Sequence, residues 1–202
     1  VQELGANRTD HARARIERAR RQLLEISTVS SDLRWACARA EARVAKMLDG
    51  RPDKAMAILA RTRADFERQG DRSSSHYTSV LRSIAGEQMD RGELVQALEL
   101  LRLSGRVHEL NGRGSTVARL QDWQSESVAL YRLGEIRESL AQLERYTGQI
   151  VRAGPRPELG IGMLMDRAGS LNRLGRSAEA LPLATGLGER ALRDGHTRSA
   201  GL

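Results

Sequence analysis

Along the chain a small residue is followed four positions on by an apolar one: Ala55 by Leu59, Ala97 by Leu101, Ser139 by Leu143 and Ala180 by Ala184. That spacing sets each pair on one face of a helix, where the small member lets a second helix come close and its neighbour fills the space beside it. Each pair begins five residues after a glycine, and those glycines, Gly50, Gly92, Gly134 and Gly175, lie 42, 42 and 41 residues apart. Twenty residues after each stands another, Gly70, Gly112, Gly154 and Gly195. Helices end most readily on a residue that can turn left-handed, so both series mark helix ends.

The pattern predicts nine helices, over 9–27, 31–48, 52–69, 73–90, 93–111, 115–132, 135–153, 157–173 and 176–194, and no strand. Pro52 fits the first turn of its helix, where a missing N–H costs nothing, while Pro155 and Pro157 punctuate the turn after Gly154. From the second helix onward the elements pair as antiparallel hairpins in repeats 31–70, 73–112, 115–154 and 157–195. Residues 9–27 read as the second half of a repeat lacking its first, and 196–202 as a tail or the start of a further one. One hairpin cannot bury its apolar face alone, so neighbouring hairpins stack. The expected fold is all-α: a single right-handed α-α superhelix over residues 1–195, with a concave and a convex wall. The fourth repeat departs from good helix-forming sequence, with Gly160, Gly162 and Gly169 in one helix and Pro182, Gly186 and Gly188 in the next. It is expected to be the least stable, with a kink at Pro182.

Composition agrees with a helical chain. Of 202 residues, 40% are apolar but only 3% aromatic, so the residue types that favour strands are scarce. No apolar run is long enough to span a bilayer. A lone cysteine, Cys37, cannot form an internal disulfide and makes a reducing cytoplasm the default setting. The chain opens at Val1 without an initiator Met, which suggests a piece of something longer. Net charge is +7, which raises the question of a polyanionic partner. Yet all but two of the 33 basic residues are arginine, Lys46 and Lys54 being the exceptions, and they are spread along the chain. Such a bias reads as base composition of the genome more simply than as selection for phosphate contacts. The one concentration, Arg8, Arg13, Arg15, Arg18, Arg20 and Arg21, is offset by Asp10 and Glu17 and reads as a solvated helix face.

The stretches Gly92 to Leu101 and Gly134 to Leu143, and Gly175 with Ala180, resemble the tetratricopeptide repeat family. The resemblance extends over residues 9–195. The family's large position, eleven residues before the turn glycine, holds Leu81, Trp123 and Leu164; its small position, seven before, holds Ala85, Ser127 and Ala168. The first repeat departs, with Arg39 and Arg43 at those places. A period of 42 instead of 34 resembles the longer-helix variant of bacterial regulators similar to the maltose-type transcription activators, and of receptors for signalling peptides. The resemblance implies that the first helix of each hairpin lines the concave wall through positions ten, six and three before the turn glycine. Partner-binding candidates on that wall are Val44, Met47, Arg82, Met89, Gln124, Val128, Tyr131, Met165 and Asn172. Flexible methionines with a few polar groups suit an adaptable peptide-binding surface; the Met and Val positions read equally as packing between repeats, and Arg82 as facing solvent. The family's Lys and Asn set that clamps a C-terminal carboxylate is not reproduced.

Nothing in the chain asks for catalysis. His11, His76, His108 and His196 are isolated, without metal-ligand spacing, and Cys37 has no neighbouring base to activate it. Gly112-Arg-Gly114 and Gly160-Ile-Gly162 lack the third glycine and preceding strand of a dinucleotide site. The expectation is a cytoplasmic protein- or peptide-binding scaffold within a larger bacterial regulatory protein, not an enzyme, with no cofactor or metal and no membrane association. Exposed terminal repeats would allow homo-oligomers through the solenoid ends. A ligand-sensing module that switches an attached effector domain is the alternative, and nucleic-acid binding through the arginines is the least favoured class.

Overall fold

The structure is a computed structural model that describes residues 30–113, 117–152 and 157–193, with residues 10, 11, 14, 15, 17–19 and 21 before them. Among the described residues every regular element is helical, and the fold is all-α. Eight helices follow one another: α1 (Ser31–Met47), α2 (Pro52–Arg68), α3 (Ser75–Asp90), α4 (Leu94–Leu110), α5 (Val117–Leu133), α6 (Ile136–Arg152), α7 (Pro157–Arg173) and α8 (Ser177–Arg193). Their ends fall within two residues of the predicted ones. The described residues between 10 and 21 are helical as well. Most of the predicted 9–27 helix, Gly154, Gly195 and the 196–202 tail lie outside the described residues.

Helix ends follow from local chemistry. The Ser30 hydroxyl accepts a hydrogen bond from the Leu33 N–H at 3.3 Å and Ser74 does the same for Tyr77 at 3.1 Å, satisfying N–H groups that the first turn leaves open. Pro52 is the first residue of α2. Gly92 shows why the repeat glycines stand where they do. Its φ of 80° turns the chain so that the Gly92 N–H reaches the Met89 carbonyl at 3.1 Å and the Glu93 N–H reaches Gln88 at 2.9 Å. This double closure needs a left-handed residue, which glycine supplies without a Cβ penalty. Among the described residues the positive-φ positions are Gly50, Gly70, Gly92, Gly112, Gly134 and Gly175, all members of the two glycine series.

The chain divides into two compact units, residues 1–87 and 88–202, with the boundary inside α3. In the first, α1 packs on α2, and Trp35, Ala42 and Ala45 of α1 are buried, as are Ala55, Leu59 and Phe66 of α2. Tyr77, Val80, Leu81, Ile84 and Ala85 supply the buried face of α3. A polar contact joins α2 to α3: Glu67 accepts from Arg63 Nε at 2.7 Å and from the Tyr77 hydroxyl at 2.8 Å. The Arg63 hydrogen bond, backed by Tyr77, holds the Glu67 carboxyl below the usual carboxylate range against the opposing effect of burial.

In the second unit the core is a row of seams between successive helices. Leu98 of α4 meets Ala129 and Leu130 of α5; Leu120 and Trp123 of α5 meet Leu143 of α6 and Met163 of α7. Leu140 of α6, Leu171 of α7 and Ala180 of α8 close the series. The small–large pairs Ala97/Leu101 and Ser139/Leu143 are at most 1% exposed, whereas Ala184, partner of the buried Ala180, is exposed. In α7, Gly162 lets the helix approach α5, since a Cβ there would run into the Gln124 side chain; around Gly169 there is open space. Helix α8 runs on through Pro182, which lies inside it.

Candidate partner-binding face

The first helices of the hairpins are α1, α3, α5 and α7, and their candidate residues fall into three environments. Met47 is 72% exposed and Met165 42%, and Asn172 is exposed, its Oδ1 accepting from Ser177 Oγ at 2.7 Å. Val44, Arg82, Gln124, Val128 and Tyr131 are half-buried. Met89 packs against the Leu98, Ala129 and Leu130 cluster, so it serves the seam of the second unit. Two of the half-buried residues are held by neighbours from the next repeat. Gln124 Nε2 donates to Asp166 Oδ2 at 3.3 Å, and the Arg173 guanidinium sits 5.0 Å from the centre of the Tyr131 ring. Burial pushes the Asp166 carboxyl above its ordinary value, and the Gln124 hydrogen bond offsets this only in part.

In the first unit a cavity of about 320 Å³ opens between α1 and α3. One stripe of α1 lines it, Arg39, Ala42, Arg43, Lys46 and Met47, facing Ser83 and Glu87 of α3 with Leu59 of α2 at its floor. Lys46 Nζ reaches Glu87 Oε1 at 2.9 Å. Of the candidate residues only Met47 borders this cavity. Arg39, Arg43, Lys46 and Glu87 were not anticipated as site residues, although the departure of Arg39 and Arg43 from the repeat pattern is visible in the sequence.

Solved structures of tetratricopeptide-like repeat proteins are similar to this chain. BtubC (BKLC) from P. vanneervenii superimposes with a TM-score of 0.79 at 14% identity, covering 96% of this chain and 77% of that one. A putative kinesin light chain with nearly identical TPR-like repeats from Podosopora anserina gives 0.69 at 17% identity, covering 97% and 94%. MamA AMB-1 gives 0.55 at 19%, covering 90% and 86%. The fold is that of the tetratricopeptide-like helical repeats. No protein-family model matches the sequence, and no curated protein sequence does.

Within this tetratricopeptide-like frame the second unit carries a buried ionic lattice that composition gave no reason to expect. Arg119, at the start of α5, donates through Nη1 to the buried Glu126 Oε1 at 2.8 Å and, at the solvent edge of the lattice, through Nη2 to Oε1 of the exposed Glu109 at 3.1 Å. Its guanidinium lies 4.9 Å from the centre of the Trp123 ring. Gln142 of α6 donates to the other Glu126 oxygen at 2.9 Å. Beside this group Asp122, fully buried, accepts from Ser104 Oγ at 2.7 Å, and His108 Nε2 lies 3.5 Å from the same oxygen. Gly105 of α4 makes the room: a Cβ there would meet the Arg119 guanidinium. Such buried pairs offset their desolvation only when fully hydrogen-bonded, and they fix which side chains oppose one another. Their place is the α4–α5–α6 seam. Among the described residues no three or more His, Cys, Asp or Glu side chains are grouped to hold a metal ion, and no helix is long and apolar enough to cross a membrane.

Proposed function

We propose that this chain is a polypeptide-binding scaffold, a module of a larger regulatory protein, which holds a segment of its partner on the first helices of its hairpins. The observation that carries this reading is the division of labour within those helices. Leu81, Ala85, Trp123 and Ser127 are at most 2% exposed and belong to the core. On the same helices Arg82, Gln124, Val128 and Tyr131 are only half-buried, and Met47 of α1 and Met165 of α7 are exposed. Thioethers and long polar side chains on rigid helices adapt to a partner without cost to the fold that presents them. The tetratricopeptide-like fold supports the reading as a scaffold, since function on such frames resides in the surface they display.

Selection of a displayed random-peptide library on the immobilised chain tests it. A recurring short motif should emerge, and Met165→Glu or Val128→Glu should weaken the selected peptide by about tenfold, the effect of losing one buried apolar contact. Absence of any motif, or a motif indifferent to substitutions at all the candidate positions, would refute the reading. Steeply salt-dependent capture of an oligonucleotide in place of peptides would instead favour contacts to phosphate.

A further inference from the structure

The α1–α3 cavity of the first unit has a charge pattern that its neighbours' repeats lack. Eleven and seven residues before the turn glycine, the second and third repeats bury Leu81 with Ala85 and Trp123 with Ser127, none more than 2% exposed. The first repeat places Arg39 and Arg43 there, both exposed and both lining the cavity. They stand one helical turn apart, where like charges repel. Among the described residues neither has an ion-pair or hydrogen-bond partner. The third cation, Lys46, is already held by Glu87. Two guanidinium groups with no partner among the described residues, beside the buried Leu59 and the exposed Met47, suit a complex: planar forks match carboxylates in bidentate fashion, and the apolar side chains take the aliphatic part beside them.

We propose that this cavity is the anion-reading subsite of the chain, taking an Asp or Glu side chain of a partner polypeptide between Arg39 and Arg43 and an adjacent apolar side chain against Met47 and Leu59. The proposal rests on the polypeptide-binding reading above. A volume of about 320 Å³ accommodates one or two side chains and not a folded surface. Two features disfavour a nucleic acid at the same place. Glu87 stands in the lining, and among the described residues no aromatic ring lines the cavity on which a base could stack.

The test is a parallel selection of the displayed random-peptide library on the full chain and on its Arg39→Gln/Arg43→Gln variant, which alters only exposed side chains and whose fold is checked by circular dichroism. Wild type should enrich Asp or Glu next to an apolar residue. The variant should lose that enrichment, and a synthetic copy of the selected peptide should bind the variant about tenfold or more weakly, as expected for a charge-assisted pair. Replacing the selected Asp or Glu by Asn or Gln should weaken binding to wild type by a similar factor and leave binding to the variant unchanged. Enrichment with no acidic position, or equal in both proteins, overturns the subsite while leaving the scaffold reading intact. No enrichment on either protein overturns both. Binding of a single-stranded dT oligonucleotide that depends on Arg39 and Arg43, without acidic peptides, reassigns the cavity to polyanions and overturns the proposal.

Discussion

Replacing Arg119 by Met tests whether the buried lattice holds the α4–α5–α6 seam. The Arg119 and Glu126 side chains are each 7% exposed and lie 2.8 Å apart. Methionine retains apolar bulk beside Trp123 but leaves the Glu126 carboxylate with the Gln142 amide as its remaining described donor. Removing one half of a buried pair costs about 3–5 kcal/mol, because the other charge stays desolvated, whereas exposed pairs are worth about 0–1 kcal/mol. The ranges do not overlap, so equilibrium unfolding in urea decides between them. Circular dichroism and tryptophan fluorescence should be followed together, since coincident transitions are what license a single free energy. The companion double variant, Arg119→Met/Glu126→Leu, removes both charges and should recover most of the loss, because paired burial roughly breaks even against apolar packing. A single-variant loss below about 1 kcal/mol, or a double variant that loses the sum of the two single changes, would show that the lattice is incidental to the seam.

The remaining predictions concern the same helices. Gly105→Ala would gain up to about 1 kcal/mol from helix propensity alone, but its methyl meets the Arg119 guanidinium; a net loss of about 1–3 kcal/mol in urea titration is expected, as for other overpacked sites, and a net gain would show that the guanidinium is not fixed there. Pro182 is exposed within α8, so Pro182→Ala should raise thermal stability and slow amide exchange across α8, by at most about 3 kcal/mol; no change in exchange would contradict the cost assigned to the missing N–H. For Asp166 the sign follows from its raised carboxyl. Its contribution is fully present below the unfolded carboxylate value of about 3.9 and is lost as pH rises through the higher folded value. Asp166→Asn should therefore stabilise the protein near neutrality, with the advantage shrinking in acid, and a variant whose advantage grew in acid would disprove the assignment.

How much of this was legible depends on the range over which each feature is decided. Helix ends rest on neighbours within a turn, so Gly92, Gly134 and their counterparts could be read directly from spacing, and the small–large pairs named the faces of α2, α4 and α6 that are buried. The buried charges were illegible because Arg119, Asp122 and Glu126 belong to types that ordinarily stay outside. Only comparison between repeats reveals them. Fifteen and eight residues before the turn glycine, the first repeat buries Trp35 and Ala42 and the second Tyr77 and Ile84; the third buries Arg119 and Glu126 at the same two places.

That correspondence explains how one scaffold accepts two kinds of seam. In the first unit Glu67, on the second helix of its hairpin, is met from one side by Arg63 and from the other by the Tyr77 hydroxyl. Forty-two residues later the same three places hold Glu109, Gly105 and Arg119. The glutamate persists, the cation has moved to the following helix, and glycine now stands where arginine stood, which clears the space that the incoming guanidinium fills. Each substitution alone would be damaging: an arginine at 105 would collide with Arg119, and a tyrosine at 119 would leave Glu126 desolvated beside a ring. Together they conserve one donor-to-carboxylate contact across the seam while changing its chemistry. Reverting Gly105 to Arg should therefore be tolerated only with Arg119→Tyr and Glu126→Ile in place, and urea unfolding of the single, double and triple variants would show this as strong non-additivity. Additive losses across that series would mean that the repeats are not equivalent at these positions and that the seam is fixed by other contacts.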